Sequence, residues 1–139
     1  MAEKVRDVMT ANPRTVDADD TIVDAARIMR DADVGAVIVL QGRRVSGIAT
    51  DRDIAVRAVA DGRDPSGTTI AEIASKDIVA LSPDEPIDRA VQVMREKAVR
   101  RLPVVEGDRP VGIVSIGDLA IQRDSESALA DISASSPNN

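Results

Sequence analysis

Apolar positions along the chain switch between helical and alternating spacing, and the switches predict the elements. Val5 and Val8 share one side of a short helical turn over 4–9. Thr15-Val16 reads as a minimal strand. Asp19-Asp20-Thr21 supplies capping residues for a helix near 21–32, on which Ile22, Ala25, Ala26, Ile28 and Met29 form an apolar face. Val34 to Leu40 is a β-branched run read as a buried strand. Gln41-Gly42-Arg43-Arg44 is a turn, and Val45 to Ala49 is the returning strand. A second helix is expected from about 51 to 60. Residues 61–69 form a polar linker rich in Gly and Pro. The order then recurs: a short turn at 70–74, a short strand at 78–81, and a helix near 86–97 carrying Ile87, Ala90, Val91, Val93 and Met94. A strand at 101–106, a turn at Glu106-Gly107-Asp108-Arg109, a strand at 110–114 and a helix from 116 complete it. The polar tail from about 133 is expected to fray.

The recurrence is also one of residues. Residues 5–55 fall on 70–120 at an offset of 65 without a gap. Met29 meets Met94, Val34 meets Val99, Val39 meets Val104, Gly47 meets Gly112 and Asp53 meets Asp118. Each copy closes on the same phrase, Gly47-Ile48-Ala49-Thr50-Asp51-Arg52-Asp53 and Gly112-Ile113-Val114-Ser115-Ile116-Gly117-Asp118. As a pattern this is G-apolar-x-[ST]-x-x-D, after a strand and opening a helix. An internal repeat fixes architecture before other signals. The expected fold is α/β (α+β), with two β-α-β-β-α repeats at 1–60 and 70–123, the linker 61–69 between them, and 124–139 as helix end and flexible tail. Repeats this small bury little core alone, so they are expected to pack with pseudo-two-fold symmetry and to form two equivalent clefts.

Composition narrows the chemistry. The chain contains no Phe, Tyr or Trp, so a flat ligand would be gripped by aliphatic side chains and backbone. It contains no Cys or His, which removes thiolate or imidazole zinc sites, disulfides, and Cys or His catalysis. The net charge of −6 argues against nucleic acid on a broad basic surface, though not against a small anion held by local arginines. No apolar run approaches the roughly 20 residues of a membrane span, and the first residues lack a signal-peptide core. A soluble cytoplasmic protein is expected. No nucleophile–base pair, metal-ligand set or P-loop is visible, so no catalytic or metal residues are expected and the protein is not read as an enzyme.

The element order and the twice-repeated phrase resemble a tandem pair of CBS domains, a Bateman module, over roughly residues 4–122, and in particular the small stand-alone bacterial CBS-pair proteins. The resemblance implies a regulatory module that binds AMP, ADP, ATP or S-adenosylmethionine in clefts between the repeats. Magnesium would accompany only a triphosphate. Its alternative is a ligand-free dimerisation scaffold.

It also implies roles for residues. Asp53 and Asp118 would hold the ribose, since a carboxylate offers two acceptor oxygens to two adjacent hydroxyls. Thr50 and Ser115 sit where a strand turns into a helix, where free N–H groups and the helix dipole favour a phosphate. The same [ST]-x-x-D spacing is also a helix-capping signature that needs no ligand. Arg100, three residues before Pro103, would hold phosphate through its guanidinium fork; the plain reading is a solvated arginine. Its counterpart in the first copy is Gly35, and Arg52, whose counterpart is Gly117, is the candidate replacement there or a helix-surface residue. Ile48 and Ile113 would flank the adenine or simply fill core. Met29 and Met94 read as core filling. A homodimer is expected, with the apolar faces of 21–32 and 86–97 as candidate interface, though some of that surface is needed inside the monomer. The regulated partner is not legible.

Overall fold

The computed structural model describes residues 3–123. The expected tail from 124 lies outside them. The chain folds as α1 (Val5–Val8), β1 (Thr10–Ala11), β2 (Thr15–Asp17), α2 (Ile22–Ala32), β3 (Ala36–Gln41), β4 (Arg44–Thr50) and α3 (Asp51–Asp53). After α3 the chain widens into a π-helical segment, Ile54–Val59, and a 3-10 turn follows at Ile70–Glu72. Then come α4 (Ile87–Lys97), β5 (Arg101–Glu106), β6 (Arg109–Ser115) and α5 (Ile116–Arg123).

Two compact units result, and neither opens where its repeat opens. One comprises 14–78; the other joins the first thirteen residues to the chain from Val79. The first sheet has the order β2-β3-β4 and the second β1-β6-β5. The opening turn α1 thus docks on the second repeat. There Val5 N–H donates to Glu85 C=O (2.8 Å), Arg6 N–H to Pro83 C=O (2.9 Å), and Ile87 N–H to Glu3 C=O (3.1 Å). The first repeat receives the later turn through the same three bonds. Ile70 N–H donates to Asp20 C=O (2.7 Å), Ala71 to Ala18 (3.2 Å), and Ile22 to Thr68 (3.0 Å).

Each unit has its own core. Val16, Ile22, Ala25, Met29, Val37, Val39, Ala49, Ala58, Ile70 and Ile73 form one. Val5, Leu81, Ile87, Ala90, Val93, Met94, Leu102, Val104, Val114 and Leu119 form the other. Part of the apolar faces of α2 and α4 is thus used inside their own units, while Ala26 stays exposed and Ile28 and Val91 are half-buried. Among the described residues, the large apolar side chains left in water are Val56, Val59 and Ile116, at 48, 64 and 54 % exposure.

α2 begins on a capping box, with Thr21 Oγ1 accepting from Asp24 N–H (3.1 Å) and Asp24 Oδ2 from Thr21 N–H (3.0 Å). It ends on Asp33 and α4 on Ala98, both left-handed at φ 55°. The hairpins carry matching irregularities at Val39/Leu40 and Val104/Val105. An extra residue on the returning strand accommodates each.

The strand expected at 78–81 is reduced to one parallel bridge, Leu81 to Val104. Two prolines explain it. In the first repeat Ile38 N–H donates to Arg14 C=O (2.9 Å) and Ala18 N–H to Leu40 C=O (2.7 Å), extending β2 against β3. Their counterparts, Pro103 and Pro83, have no N–H. Only Leu81 keeps the ladder, through Pro103 C=O (2.9 Å) and Val105 N–H (2.8 Å).

Candidate functional site

Both repeats end a buried strand on a small polar residue and turn at once into a helix. In the first, Asp53 N–H donates to Thr50 Oγ1 (3.1 Å) and Thr50 N–H to Asp53 Oδ2 (2.9 Å). In the second, Asp118 N–H donates to Ser115 Oγ (3.1 Å) and Ser115 N–H to Asp118 Oδ2 (2.9 Å). Thr50, Asp53, Ser115 and Asp118 thus act as reciprocal caps, the ligand-independent role their spacing allows. Each cap engages one carboxylate oxygen. The other, Oδ1, is held in a fixed direction at the strand–helix junction.

What surrounds the two junctions differs. The N–H that opens the motif helix donates to the carbonyl of the residue preceding the central strand: Asp51 to Gly35 (3.0 Å), Ile116 to Arg100 (2.8 Å). This bond fixes Arg100, with its exposed side chain, beside the second motif. At the first motif the same place is held by Gly35, which has no side chain to offer. Arg52 lies on the exposed first turn there, its N–H donating to Asp51 Oδ1 (2.8 Å).

Ile48 is 6 % exposed and sits on the face of its sheet opposite the α2 core, as alternation from Ala49 requires. It pairs with Ile38 and bridges Ser75. Ile113 is half-buried and pairs with Pro103 on one side and Thr10 on the other. Both isoleucines therefore join the motif strand to the segment that opens the other repeat in sequence.

Two kinds of residue were missed by sequence reasoning. Arg57 Nε lies 3.9 Å from Asp53 Oδ1, and Arg57 Nη1 donates to Ile73 C=O (3.2 Å). Its i,i+4 spacing from Asp53 was the available signal. The motif glycines carry the other role. A Cβ on Gly47 would lie 2.5 Å from Ser75 O, and one on Gly112 would meet Met9 Sδ at 2.5 Å and Thr10 O at 2.9 Å. The phrase opens on glycine because a second backbone crosses there.

Comparison with known proteins follows this geometry closely. The family model for the CBS domain matches residues 5–59 and again 70–122. The chain belongs to the CBS-domain family. The CBS domain-containing protein YhcV of Bacillus subtilis is 41 % identical over 133 residues, covering 93 % of this chain and 94 % of YhcV. A crystal structure of hypoxic response protein I with two coordinated zinc ions is 37 % identical, with a TM-score of 0.75 over 85 % of this chain and 97 % of that one. The CBS pair of protein MJ0100, solved with 5′-methylthioadenosine and S-adenosyl-L-methionine, is 26 % identical at a TM-score of 0.81, covering 91 % of this chain and all of that one. Among the described residues no group of three or more acidic side chains is placed to hold a metal ion, and the chain has neither His nor Cys. No helix among the described residues is long and apolar enough to cross a membrane.

Proposed function

We propose that this CBS pair is a regulatory sensor rather than an enzyme, and that it binds an adenosine-containing ligand through the G-apolar-x-[ST]-x-x-D motifs. The observation that carries the reading is the second motif. The Ser115 cap holds Asp118 by Oδ2 and leaves Oδ1, with no partner among the described residues, to accept from ribose hydroxyls. Arg100 is tied to the same helix start by its own carbonyl and brings a cation there for phosphate. The adenosine compounds bound by MJ0100 support the same ligand class. AMP, ADP, ATP and S-adenosylmethionine share the group that the motif addresses. No resident cofactor is needed, and magnesium would enter only with ATP. A cytoplasmic setting and a homodimer complete the proposal. Association would use the exposed Val56 and Val59 or the part of the α2 and α4 faces that the cores leave open, around Ala26, Ile28 and Val91.

A thermal-shift panel with an added dye tests the ligand. A compound at about a hundred times its dissociation constant stabilises by roughly 2.7 kcal/mol, a rise of several degrees for a chain of this size. AMP, ADP, ATP or S-adenosylmethionine should raise the midpoint and GTP should not. Ligand-free protein that responds to no adenosine compound would instead be a CBS scaffold.

A further inference from the structure

We infer that residues 61–69 are not a loose linker but a strap that closes the start of α2, and that Arg57 is the latch that holds it shut. The inference goes beyond the adenosine reading and stands without it.

The strap is tied at both ends. It leaves the π-helical segment through i→i+5 bonds, Ala60 N–H to Ala55 C=O and Arg63 N–H to Ala58 C=O, both 3.0 Å. Such turns are rare and gather at functional places. The strap then crosses the start of α2, where a helix leaves its first N–H groups without intrahelical partners. Carbonyls of the strap take them: Ile22 N–H donates to Thr68 C=O (3.0 Å) and Val23 N–H to Pro65 C=O (3.3 Å). At the far end Arg63 Nη1 meets Glu72 Oε1 at 3.4 Å, and Glu72 Oε2 accepts from Thr69 N–H (2.8 Å).

Arg57 closes this loop. It lies before the strap, and its Nη1 donates to the C=O of Ile73, beyond the strap, at 3.2 Å. Ile73 is 1 % exposed. A carbonyl so buried needs a partner, and leaving it without one costs more than the bond itself contributes. Arg57 Nε also lies 3.9 Å from Asp53 Oδ1. The arginine side chain is 53 % exposed, so this pair orients the guanidinium more than it stabilises the unit. Latch and motif are thereby joined. A change of charge at Asp53 reaches the start of α2 through Arg57, Ile73 and the strap. In the second repeat Gln122, uncharged, stands at the place of Arg57, and Glu3 closes the start of α4, its C=O accepting from Ile87 N–H (3.1 Å).

Amide hydrogen exchange, read by NMR on the full chain, tests the latch. Arg57→Gln removes the charge and the fork. It should speed exchange at Ile22 and Val23 at least tenfold, a local opening, while Ala18 and Ile38, bonded elsewhere in the same unit, stay within about threefold. Asp53→Asn keeps the cap through its amide oxygen and removes the pairing charge. It should speed the same two amides by about threefold, and by no further amount when added to Arg57→Gln. Arg57→Lys, which keeps the charge on a single donor, should fall between wild type and Arg57→Gln, and it serves where Arg57→Gln does not fold. Unchanged exchange at Ile22 and Val23 in the Arg57 variants would overturn the latch. So would exchange at Ala18 and Ile38 that rises as much as at Ile22 and Val23, or effects of Asp53→Asn and Arg57→Gln that simply add. None of these results depends on adenosine binding, which the thermal-shift panel decides separately.

Discussion

Gly47→Ala is the substitution whose cost can be worked most directly from the structure. The added Cβ would lie 2.5 Å from the Ser75 carbonyl oxygen, whereas close C···O contacts in proteins run at about 3.3–3.6 Å. One backbone must retreat by roughly 1 Å. Ser75 and Ile48 exchange two hydrogen bonds at this point, Ile48 N–H to Ser75 C=O (3.2 Å) and Ser75 N–H to Ile48 C=O (3.0 Å). Each is worth about 1 kcal/mol net. Overpacking in a filled interior adds about 1–3 kcal/mol, and the helpful loss of glycine's chain entropy returns about 0.5–1 kcal/mol. A loss of about 2–4 kcal/mol follows. Gly112→Ala should cost less, because its nearest neighbour is the flexible Met9 side chain and Thr10 O is farther off, at 2.9 Å. Urea denaturation must be followed by far-UV circular dichroism, since the chain has no aromatic residue. Hydrogen exchange would localise the effect, with protection at Ile48 and Ser75 lost in Gly47→Ala. A Gly47→Ala protein within about 0.5 kcal/mol of wild type, or one more stable than Gly112→Ala, would refute the reading of the motif glycine as a crossing point.

Two further predictions concern stability. Ala98 closes α4 at φ 55°, a conformation that costs an L-residue about 1–2 kcal/mol; Ala98→Gly removes that strain, loses some chain entropy in exchange, and should raise the midpoint of thermal unfolding by circular dichroism. Hydrogen bonding from Arg6 (Nη2 to Asp84 Oδ1, 2.7 Å) holds the Asp84 carboxyl below its ordinary value, with Lys4 contributing less. A depressed folded pKa adds stability that is present above about pH 4 and is lost as the pH falls through the folded value. Asp84→Asn should therefore be less stable than wild type at neutral pH in urea titrations, with the difference shrinking below pH 4; a constant difference across that range would sink the assignment.

The repeat made much of this fold legible. A gapless offset of 65 places Ile22 on Ile87, Ala25 on Ala90 and Met29 on Met94, and all six are buried in the two cores. The capping roles of Thr50 and Ser115 were legible for the same reason, since a cap is a local matter of three residues. Three features were not. The loss of the strand at 78–81 depends on hydrogen bonds to residues more than twenty positions away, and a proline counts there only for the N–H it lacks. The exchange of opening turns between units leaves no local trace, because residues 4–9 and 70–74 have the same pattern wherever they dock. Asp51 was legible as an acidic residue in a first turn, but its bond to the Arg52 N–H required the geometry.

The pattern of difference between the two halves bears on what the pair is for. Positions that pack have been kept: Val39 and Val104, Ala25 and Ala90, the motif glycines, and the left-handed caps at Asp33 and Ala98. Positions at the mouth of the motif have not. Gly35 stands against Arg100, Asp51 against Ile116, and Arg52 against Gly117. Packing alone does not demand this. Residues 51, 52, 100 and 116 are all exposed, and the backbone bond from residue 51 or 116 to residue 35 or 100 is the same in both halves. Here the charged residues at the helix start differ while the cap beneath it, Thr50 with Asp53 or Ser115 with Asp118, is held to within 0.1 Å. The two halves thus share one frame and present different charges from it. A ligand can shift a protein's equilibrium only through contacts that differ between states, so residues 35, 51, 52, 100, 116 and 117, which differ between the halves, are the positions at which a ligand would meet different contacts in the two halves.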